Sequence, residues 1–363
     1  MTININNPNP ATRVGERYDR RAGLEFLQKM PMGELMRMAF KARFQRIPKN
    51  RVSFVYDTNP NYTNICVTGC TFCAFYHSPG DPQGYTLDPK ELSTRVKRAY
   101  DMGATTVLLQ GGHNPKIRLI DWLDYIHAIR SACPRIHIHP FSPTEYSFMA
   151  KLEKRPVQEI LETVFAEGID TIPGGGAEIL SEPVRIRIAK NKASSEEWLF
   201  VSELAHKTGF RTTATMMFGH LETDEDIIIH LIALRDLQDR TGGFSSFIPW
   251  SFKPANSILG KIIKTNVHPA KYVRIIALAR LMLDNFPHIQ SSWFSENIPA
   301  GQLGLLAGAD DFGGVLVEEN VLQQAGHDRA VTMEDVIAII RRAGFDPVRR
   351  DSYYNIIEEY LIP

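Results

Sequence analysis

The sequence predicts an α/β protein whose fold is a closed (β/α)8 barrel of the TIM type. Two observations carry this prediction. Short β-branched or aromatic runs alternate with longer helical patterns at intervals of roughly 30 to 40 residues, which is typical of βα units around a parallel sheet. The 363 residues, 44% of them hydrophobic, are enough to bury one large core, and no Gly/Ser linker or sequence repeat divides them.

Eight runs have the length and composition of buried strands, and the eighth is the weakest of them. With seven or eight βα units, closure into a barrel is the most economical arrangement. In chain order, the predicted strands are residues 52–56, 105–110, 136–140, 170–173, 212–217, 245–249, 289–293 and 313–317.

Helix starts between these strands are marked by capping residues. Asp88 offers a cap, Pro89 stands at the first helical position, and Gly103 follows the end of the helical pattern. Three further starts have a hydroxyl followed three residues later by an acid, which is the capping-box spacing. These pairs are Ser194 with Glu197, Thr223 with Asp226, and Thr332 with Asp335.

The N-terminal part of the chain precedes this alternation. Residues 1–48 are predicted to be a short disordered tail and a basic helical extension, with the barrel and a C-terminal cap in 49–363. The extension has an apolar face that we expect to pack beneath or beside the barrel, formed by Leu24, Leu27, Leu35 and Met38. Residues 250–270 are predicted to be a loop after the sixth strand.

Composition limits the partners and the compartment. Lys plus Arg equals Asp plus Glu at 41 each, so the total charge favours neither a nucleic acid nor a membrane surface as a partner. No apolar stretch approaches the ~20 residues of a membrane span, and the first ten residues lack the basic and apolar regions of a signal peptide. Four cysteines are too few for a disulfide framework. These observations predict a cytoplasmic protein in a reducing compartment.

Three of the four cysteines lie within eight positions. Cys66, Cys70 and Cys73 form a C-x3-C-x2-C motif that supplies three thiolates. A structural zinc site or a simple ferredoxin cluster takes four protein ligands, so this motif leaves one coordination position open for chemistry. The remaining cysteine, Cys133, follows an apolar-periodic run and is predicted to be a semi-buried structural thiol.

The motif, with Phe72 at the position before the last cysteine, resembles the C-x3-C-x-aromatic-C loop of the radical S-adenosylmethionine (SAM) superfamily. The resemblance implies that the three thiolates hold a [4Fe-4S] cluster whose fourth iron binds SAM. It also implies a barrel of the radical SAM kind and places Phe72 and Tyr76 at the cofactor site. A zinc-binding loop with the same spacing remains the alternative.

Active sites of parallel α/β barrels lie at the C-terminal ends of the strands. The second predicted strand ends in Gly111, Gly112 and His113, and adjacent glycines let the backbone approach a ligand closely. In radical SAM proteins the corresponding glycine pair meets the methionine amino group, so both glycines are assigned to cofactor binding. His113 is either a donor that faces a ligand or a solvated side chain.

The third predicted strand brings two histidines to one side of the sheet. His137 and His139 are two residues apart, but no third ligand follows at metal-site spacing. We therefore predict a hydrogen-bonded barrel histidine for His137 and a substrate contact for His139. Ser142 and Glu145 lie just beyond the strand, where we expect Ser142 to contact the cofactor.

The fourth predicted strand runs into three glycines and then Glu178. A phosphate cradle is disfavoured because an adjacent carboxylate repels phosphate, whereas a carboxylate suits the vicinal hydroxyls of a ribose. In related radical SAM enzymes a glutamate after this strand binds the SAM ribose, which assigns Glu178 to the cofactor. A turn followed by an exposed glutamate remains the alternative.

Longer blocks resemble a narrower group within the superfamily. NYTNICVTGCTFCAFY, HIHPFSPTE and FIPWSFKP are similar to the menaquinone-pathway cyclases that convert dehypoxanthine futalosine to cyclic dehypoxanthine futalosine. The resemblance implies that a 5′-deoxyadenosyl radical abstracts hydrogen from C4′ of the sugar and that the resulting radical attacks the benzoate ring. Loss of a proton and an electron then restores aromaticity, so a base must take the proton. Glu145 or one of Asp310 and Asp311 could provide this base or hold the sugar hydroxyls, and Glu145 and Asp310 are assigned to catalysis. Trp250 and Asp311 are assigned, with His139, to the substrate.

The same resemblance implies a flavodoxin or ferredoxin as electron donor and dehypoxanthine futalosine as the small-molecule substrate. Two sister activities remain open, namely aminofutalosine synthase and the tyrosine-handling subunit of F0 synthase. A third alternative belongs to a different class, a non-catalytic iron–sulfur or zinc protein, which would need a fourth protein ligand and no SAM pocket.

Overall fold

The computed structural model describes residues 17–326 and 331–361. The predicted tail therefore lies outside the described residues, which begin at Arg17. All eight predicted strands are present, and they occur in the predicted order with parallel pairing. The barrel strands are β1 (Arg51–Asn59), β2 (Thr106–Leu109), β3 (His137–Pro140), β4 (Thr171–Ile172), β5 (Arg211–Phe218), β6 (Phe244–Ser251), β7 (His288–Ile289) and β8 (Asp311–Glu319).

Helices follow the strands and surround the barrel. The predicted caps hold, since Asp88, Ser194, Thr223 and Thr332 each accept a hydrogen bond from a backbone N–H of the first turn. The helices are α1 (Arg20–Gln28), α2 (Met32–Arg46), α3 (Pro89–Asp101), α4 (Leu119–Ala132), α5 (Pro143–Glu153), α6 (Val157–Ala166), α7 (Glu182–Ala189), α8 (Ser195–Thr208), α9 (Asp224–Thr241), α10 (Pro269–Met282), α11 (Ile298–Leu306), α12 (Asn320–Gln324) and α13 (Met333–Arg342).

Backbone hydrogen bonds join neighbouring strands around most of the barrel. One sheet contains β8, β1, β2 and β3, and the other contains β4 to β7, with a single bridge between Gln290 and Asp311 joining them after β7. Among the described residues no backbone ladder joins β3 to β4. Side chains connect these strands instead, because His137 Nε2 and His139 Nδ1 lie 2.6 Å and 2.8 Å from the hydroxyl of Thr171. The barrel is therefore partial in its backbone pairing.

The N-terminal helices precede the first strand and pack on the outside of the barrel. Helix α1 contacts α9 and α10, and α2 contacts α10. Leu35 is fully buried, and Leu24, Leu27 and Met38 pack against the same core, as the apolar face predicts. Arg43 of α2 donates to the carbonyl of Ala309, just before β8, which places α2 toward the end of the barrel where the strands begin.

A C-terminal hairpin closes that same end of the barrel. Strands β9 (Asp346–Arg350) and β10 (Ile356–Glu359) pair antiparallel to each other, and β9 runs parallel to the first half of β1. In the turn between them, the hydroxyl of Ser352 lies 2.7 Å from that of Thr106, and Tyr354 stacks on His288 with ring centroids 3.8 Å apart. The hairpin therefore forms the floor of the barrel interior.

The predicted loop after β6 is present and contains one short 3-10 turn at Leu259–Lys261. In the described ranges, no helix combines the length and the apolar character that crossing a bilayer requires.

Candidate active site

A cavity of about 430 Å³ occupies the barrel interior between the cysteine loop and the C-terminal hairpin. Every residue predicted for the site lines this cavity except Asp310 and Asp311. The structure therefore brings together residues from the ends of β1 to β4 and β6. They are Cys66, Cys70, Phe72, Cys73, Tyr76, Gly111, Gly112, His139, Ser142, Glu145, Glu178 and Trp250.

The three cysteines lie in one loop after β1. Cys66 and Cys70 are buried, and the hydroxyl of Thr68 lies 2.9 Å and 3.5 Å from their sulfur atoms. Burial raises the pKa of the Cys70 thiol, and it raises the pKa of Cys73 to about 11. Binding iron as thiolates must therefore release protons, as is general for cysteine metal sites.

These thiols fit a cluster better than a single ion. Among the described residues, no three His, Cys, Asp or Glu side chains converge closely enough to hold one metal ion. A zinc ion would draw its sulfur ligands to about 2.3 Å, whereas an iron–sulfur cluster distributes its cysteines over separate iron atoms. Cys133 is fully buried in a different part of the core, deeper than the semi-buried position predicted for it, and does not line the cavity.

The glycine pair after β2 is fixed by contact with the cysteine loop. A Cβ at Gly112 would lie 2.3 Å from the carbonyl oxygen of Ile65, and a Cβ at Gly111 would lie 2.6 Å from the ring of Tyr62. The absence of side chains therefore lets the two loops pack directly while Gly111 and Gly112 still line the cavity.

His113, which follows the pair, is buried and stacks on Phe148 with ring centroids 4.8 Å apart. Burial lowers the pKa of His113 to about 3, so the ring is neutral. Its burial excludes the solvated alternative.

Glu145 is held by four hydrogen bonds at the start of α5. Its carboxylate accepts from the hydroxyl of Tyr62 at 2.8 Å, from the N–H of Gly111 at 3.1 Å, and from the N–H and hydroxyl of Ser142 at 2.7 Å and 2.6 Å. Burial raises the pKa of Glu145. Because both oxygens are occupied by these donors, the geometry is that of a positioning residue that ties the glycine loop to α5.

Glu178 faces the cavity from a left-handed backbone conformation. Its φ is +44°, which is uncommon for a residue with a side chain and is found where the surrounding structure enforces it. The backbone carbonyl of Glu178 accepts from Met217 at 2.7 Å, and its carboxylate accepts from the ammonium of Lys192 at 2.7 Å. Glu178 is only 4% exposed, which excludes the alternative of an exposed glutamate after a turn.

Lys192 is a cavity residue that the sequence analysis missed. Its ammonium lies 5.8 Å from the centre of the Phe72 ring, so it stands between Glu178 and the cysteine loop. Burial by itself lowers the pKa of Lys192, but the carboxylate of Glu178 outweighs burial and holds the pKa above its ordinary value. The lysine therefore keeps its positive charge inside the cavity.

Asp310 and Asp311 are turned away from the cavity into buried ion pairs. Asp310 accepts from the guanidinium of Arg280 and lies 2.6 Å from Nδ1 of His288, while the N–H of Ile289 donates to it at 3.0 Å. Asp311 accepts from Arg350 at 2.5 Å and 3.0 Å. Both aspartates therefore act as internal counter-ions, because each neutralises a buried arginine. The catalytic role predicted for Asp310 and the substrate contact predicted for Asp311 are wrong, since neither side chain lines the cavity.

Arg350 and two of its neighbours were also missed by the sequence analysis. Arg350, Ser352 and Tyr354 belong to the C-terminal hairpin, and they line the cavity on the side of this hairpin. The guanidinium of Arg350 lies 3.9 Å from the centre of the Tyr354 ring. No local motif marked this segment, because its residues reach the cavity only through the pairing of β9 with β1.

Replacing Glu178 with glutamine tests its predicted contact with the SAM ribose. The substitution keeps the shape of the side chain but removes its charge, and we expect SAM to bind about tenfold more weakly or worse, with iron and sulfide contents unchanged. Anaerobic calorimetric titration measures the affinity. Glu196→Gln, an exposed position on α8, is the matched control. Unaltered SAM affinity in Glu178→Gln would remove the ribose contact.

Two family models match the chain and together span most of it. The model of the radical SAM superfamily matches residues 60–232, and the model of the CofH/MqnC C-terminal region matches residues 241–361.

Three relatives match most of the chain at nearly equal identity. The chain is 39% identical to the cyclic dehypoxanthine futalosine synthase of Halalkalibacterium halodurans, over 86% of this chain and 84% of that protein. It is 38% identical to the 5-amino-6-(D-ribitylamino)uracil–L-tyrosine 4-hydroxyphenyl transferase of Methanopyrus kandleri, over 94% of both chains. It is 37% identical to the aminodeoxyfutalosine synthase of Thermus thermophilus, over 94% of this chain and 92% of that protein.

Solved structures share the fold at much lower identity. Methylornithine synthase superposes with a TM-score of 0.70 at 19% identity and covers 92% of this chain and 95% of its own. HydG, a maturase of the [FeFe]-hydrogenase, superposes with a TM-score of 0.73 at 14% identity and covers 92% of this chain and 73% of its own. At such low identity these two structures bear on the fold alone.

Proposed function

Because this chain belongs to the radical SAM superfamily and, within it, to the CofH/MqnC family, we propose that it closes dehypoxanthine futalosine into cyclic dehypoxanthine futalosine. Membership of the superfamily means that the protein is an enzyme that uses a [4Fe-4S] cluster and SAM. The substrate, and with it a place in menaquinone biosynthesis, is the proposed part. It is supported by the similar sequence blocks and by the wall of the cavity.

The cysteine end of the cavity suits the two cofactors. Cys66, Cys70 and Cys73 would hold the cluster, and the buried ammonium of Lys192 is placed to bind a carboxylate such as that of SAM. Phe72 and Tyr76 line the same end, and Ser142 stands beside the glycine pair. Bound there, the cluster and SAM would supply the radical chemistry that begins with removal of a hydrogen atom from the substrate.

The observation that carries the substrate proposal is the wall beyond the cofactor end. Hydroxyl and amide side chains line it, and they suit the hydroxyls of a sugar. Trp250 and Phe294 give it an aromatic side against which a benzoate ring can pack. The hydroxyl and amide residues are Thr106, Thr213, Thr215, Ser246, Gln290 and Ser292.

His139 is the group in this wall that we assign to proton acceptance. Ring closure onto the benzoate leaves a ring radical that must lose one proton and one electron before aromaticity returns. The cluster, in the oxidised state that SAM cleavage leaves, would take the electron. A base must take the proton, and Glu145 already accepts four hydrogen bonds. Burial holds the pKa of His139 well below its ordinary value, so its imidazole is neutral. If Nδ1–H donates to Thr171, the lone pair of Nε2 is left for the substrate.

Replacing His139 with glutamine should separate SAM cleavage from ring closure. We expect 5′-deoxyadenosine to form at a rate close to that of the wild type, while cyclic product falls by about 10²-fold or more, the usual contribution of a positioned base. Both compounds are quantified in one anaerobic reaction by mass spectrometry.

His137→Gln is the matched control for this prediction. His137 contacts the same threonine hydroxyl but does not line the cavity, so its replacement should leave the ratio of product to 5′-deoxyadenosine unchanged. An equal loss of product in both variants would assign the effect to the lost contacts with Thr171, and an undiminished yield in His139→Gln would remove its role as proton acceptor.

The sister activities are the second candidates, because relatives with those names match the chain almost as well. The reconstituted enzyme is offered dehypoxanthine futalosine, the enolpyruvyl benzoate substrate of aminofutalosine synthesis, or tyrosine with 5-amino-6-(D-ribitylamino)uracil, each with SAM and dithionite. We expect turnover only with the first. Turnover with either of the others in its place would reassign the substrate within the same family.

A further inference from the structure

The turn between the first two cysteines of the loop holds a buried hydroxyl group. Gly69 has a φ of +61°, a left-handed conformation that glycine adopts without strain, and at this turn the side chain of Thr68 meets both cysteines. The hydroxyl of Thr68 lies 2.9 Å from the sulfur of Cys66 and 3.5 Å from the sulfur of Cys70. Thr68 is only 5% exposed, so its hydroxyl is enclosed beside two of the three cysteines that would hold the cluster.

The two sulfur atoms are the hydrogen-bond partners of this hydroxyl, and no other polar group in residues 17–326 and 331–361 is bonded to it. While Cys70 is a thiol, its S–H donates to the hydroxyl oxygen. Binding of iron removes that hydrogen, because cysteine binds metals as the thiolate. A buried O–H costs free energy when it has no acceptor, so the hydroxyl of Thr68 must then donate to a sulfur that carries negative charge.

Contacts with other segments hold the backbone of this turn in place. The N–H of Val67 donates to the carbonyl of His113, after β2, at 3.1 Å. The side-chain amide of Asn191 donates to the carbonyl of Thr68 at 3.3 Å. Neither contact involves a thiol, so both are compatible with bound iron. We therefore expect the hydroxyl of Thr68 to stay beside the sulfur atoms in the loaded enzyme.

A hydrogen bond to a cluster sulfur affects how readily the cluster accepts an electron. Reduction adds one negative charge, and a donor at sulfur stabilises the more negative state more strongly than the less negative one. The effect is larger at a buried site, because a low local dielectric strengthens the hydrogen bond. Cys66 and Cys70 are both buried. The hydroxyl of Thr68 would therefore favour the reduced cluster.

We propose that the hydroxyl of Thr68 donates to a cysteine thiolate of the cluster and thereby raises the reduction potential of the cluster. One electron enters the cluster from an external one-electron donor, no proton is transferred, and no covalent bond breaks. Without this hydrogen bond the cluster would accept the electron only from a stronger reductant. The proposal rests on the radical SAM cofactors and does not depend on which substrate the enzyme uses.

The experiment compares the reduction potentials of isosteric variants. Thr68→Val is the principal variant, because valine has nearly the shape of threonine but no hydroxyl, and Thr68→Ser restores a hydroxyl. Thr71→Val is the matched control, since Thr71 belongs to the same loop but donates its hydroxyl to the carbonyl of Ile188 at 3.2 Å. Each reconstituted protein, without SAM or substrate, is poised anaerobically at a series of potentials with dithionite. The EPR signal of the reduced cluster gives the fraction reduced at each potential.

We expect the equilibrium constant for reduction to fall about tenfold in Thr68→Val, which is a midpoint potential about 59 mV more negative for a one-electron couple. In Thr68→Ser and Thr71→Val the equilibrium constant should stay within about twofold of the wild type, because both proteins keep a hydroxyl beside the sulfur atoms. Iron and acid-labile sulfide contents should be equal in all four proteins. A purely structural role for Thr68 would not move the potential of a fully loaded cluster.

An unchanged midpoint potential in Thr68→Val, or an equal shift in Thr71→Val, would overturn the proposal. If Thr68→Val assembles no cluster, Thr68→Ala also lacks the hydroxyl and should show a fall in the same direction. Loss of the cluster in both variants would overturn the proposal as well, because it would assign Thr68 to the folding of the loop. A wild type without the signal of a reduced cluster would instead contradict the cofactor assignment, so the two failures are distinguishable.

Discussion

Each of the variants Cys66→Ala, Cys70→Ala and Cys73→Ala will lose the cluster, and SAM cleavage will fall to the level of a reaction without enzyme. The three cysteines occupy one loop and line the same cavity, and the motif supplies no spare thiolate, so loss of one leaves the cluster with two protein ligands. Iron and acid-labile sulfide after anaerobic reconstitution, with the EPR spectrum of the reduced protein, measure the cluster. Formation of 5′-deoxyadenosine measures the chemistry.

Cys133→Ala is the matched control for the three cysteine variants. Cys133 is buried in the part of the core that surrounds α4, apart from the cavity, and we expect this variant to keep both cluster and SAM cleavage at a cost in stability of about 1 kcal/mol. Loss of the cluster in Cys133→Ala, or its retention in one of the other three, would show that the ligand set is wrong.

Asp310→Asn should destabilise the folded protein strongly without a specific effect on the chemistry. Asp310 and Arg280 are 2% and 4% exposed, and removing one charge leaves the other buried without its partner. Breaking such a pair costs about 3–5 kcal/mol, which corresponds to a fall in Tm of roughly 4–7 °C for a chain of this size. Thermal unfolding of the reconstituted protein at one fixed scan rate measures it. Asp124→Asn, an exposed position on α4, should change Tm by no more than about 1–2 °C.

The effect of pH on the Tm difference between the wild type and Asp310→Asn follows from the pKa of Asp310. Burial by itself would raise this pKa, but Arg280 and His288 outweigh burial and hold it well below its ordinary value. The folded state therefore binds fewer protons than the unfolded state, so the contribution to stability is complete above the unfolded pKa of about 4 and declines only as the pH falls below it. The Tm difference should thus be equal at pH 6 and pH 8. A difference that shrank at pH 6 would show that another group controls it.

Much of the barrel could be predicted because local patterns and tertiary structure agree. Strands β1 to β6 alternate with helices whose caps are visible in the sequence, and burial inside a parallel sheet selects the apolar runs that mark them. Only the first residue of the seventh predicted run, 289–293, lies in a strand, which is His288–Ile289, since the chain then turns and Gln290 bridges Asp311. The C-terminal hairpin was missed because β9 contains a proline and two arginines, and the four residues of β10 are exposed.

The sequence predicted those parts of the candidate site whose residues directly follow a strand in the chain. The cysteine loop, the glycine pair and Glu178 each follow a strand directly, so the position of the strand end predicts the position of the side chain. Lys192 and Arg350 gave no such signal, because their neighbours in the cavity come from other segments of the chain. Asp310 was predicted to be catalytic because nothing near it in the sequence indicates an ion pair. Its partner Arg280 lies 30 residues away. The division of the chain near residue 48 and the cytoplasmic location stay predictions.

The central claim is that this enzyme removes the C4′ hydrogen of dehypoxanthine futalosine and closes the ring. The most direct measurement uses substrate that carries deuterium at C4′, with SAM and dithionite, and reads both products by mass spectrometry. We predict 5′-deoxyadenosine that contains one deuterium, together with a cyclic product that has lost that deuterium and one further hydrogen. Unlabelled 5′-deoxyadenosine without any cyclic product would contradict the claim and leave the radical chemistry to act on another substrate.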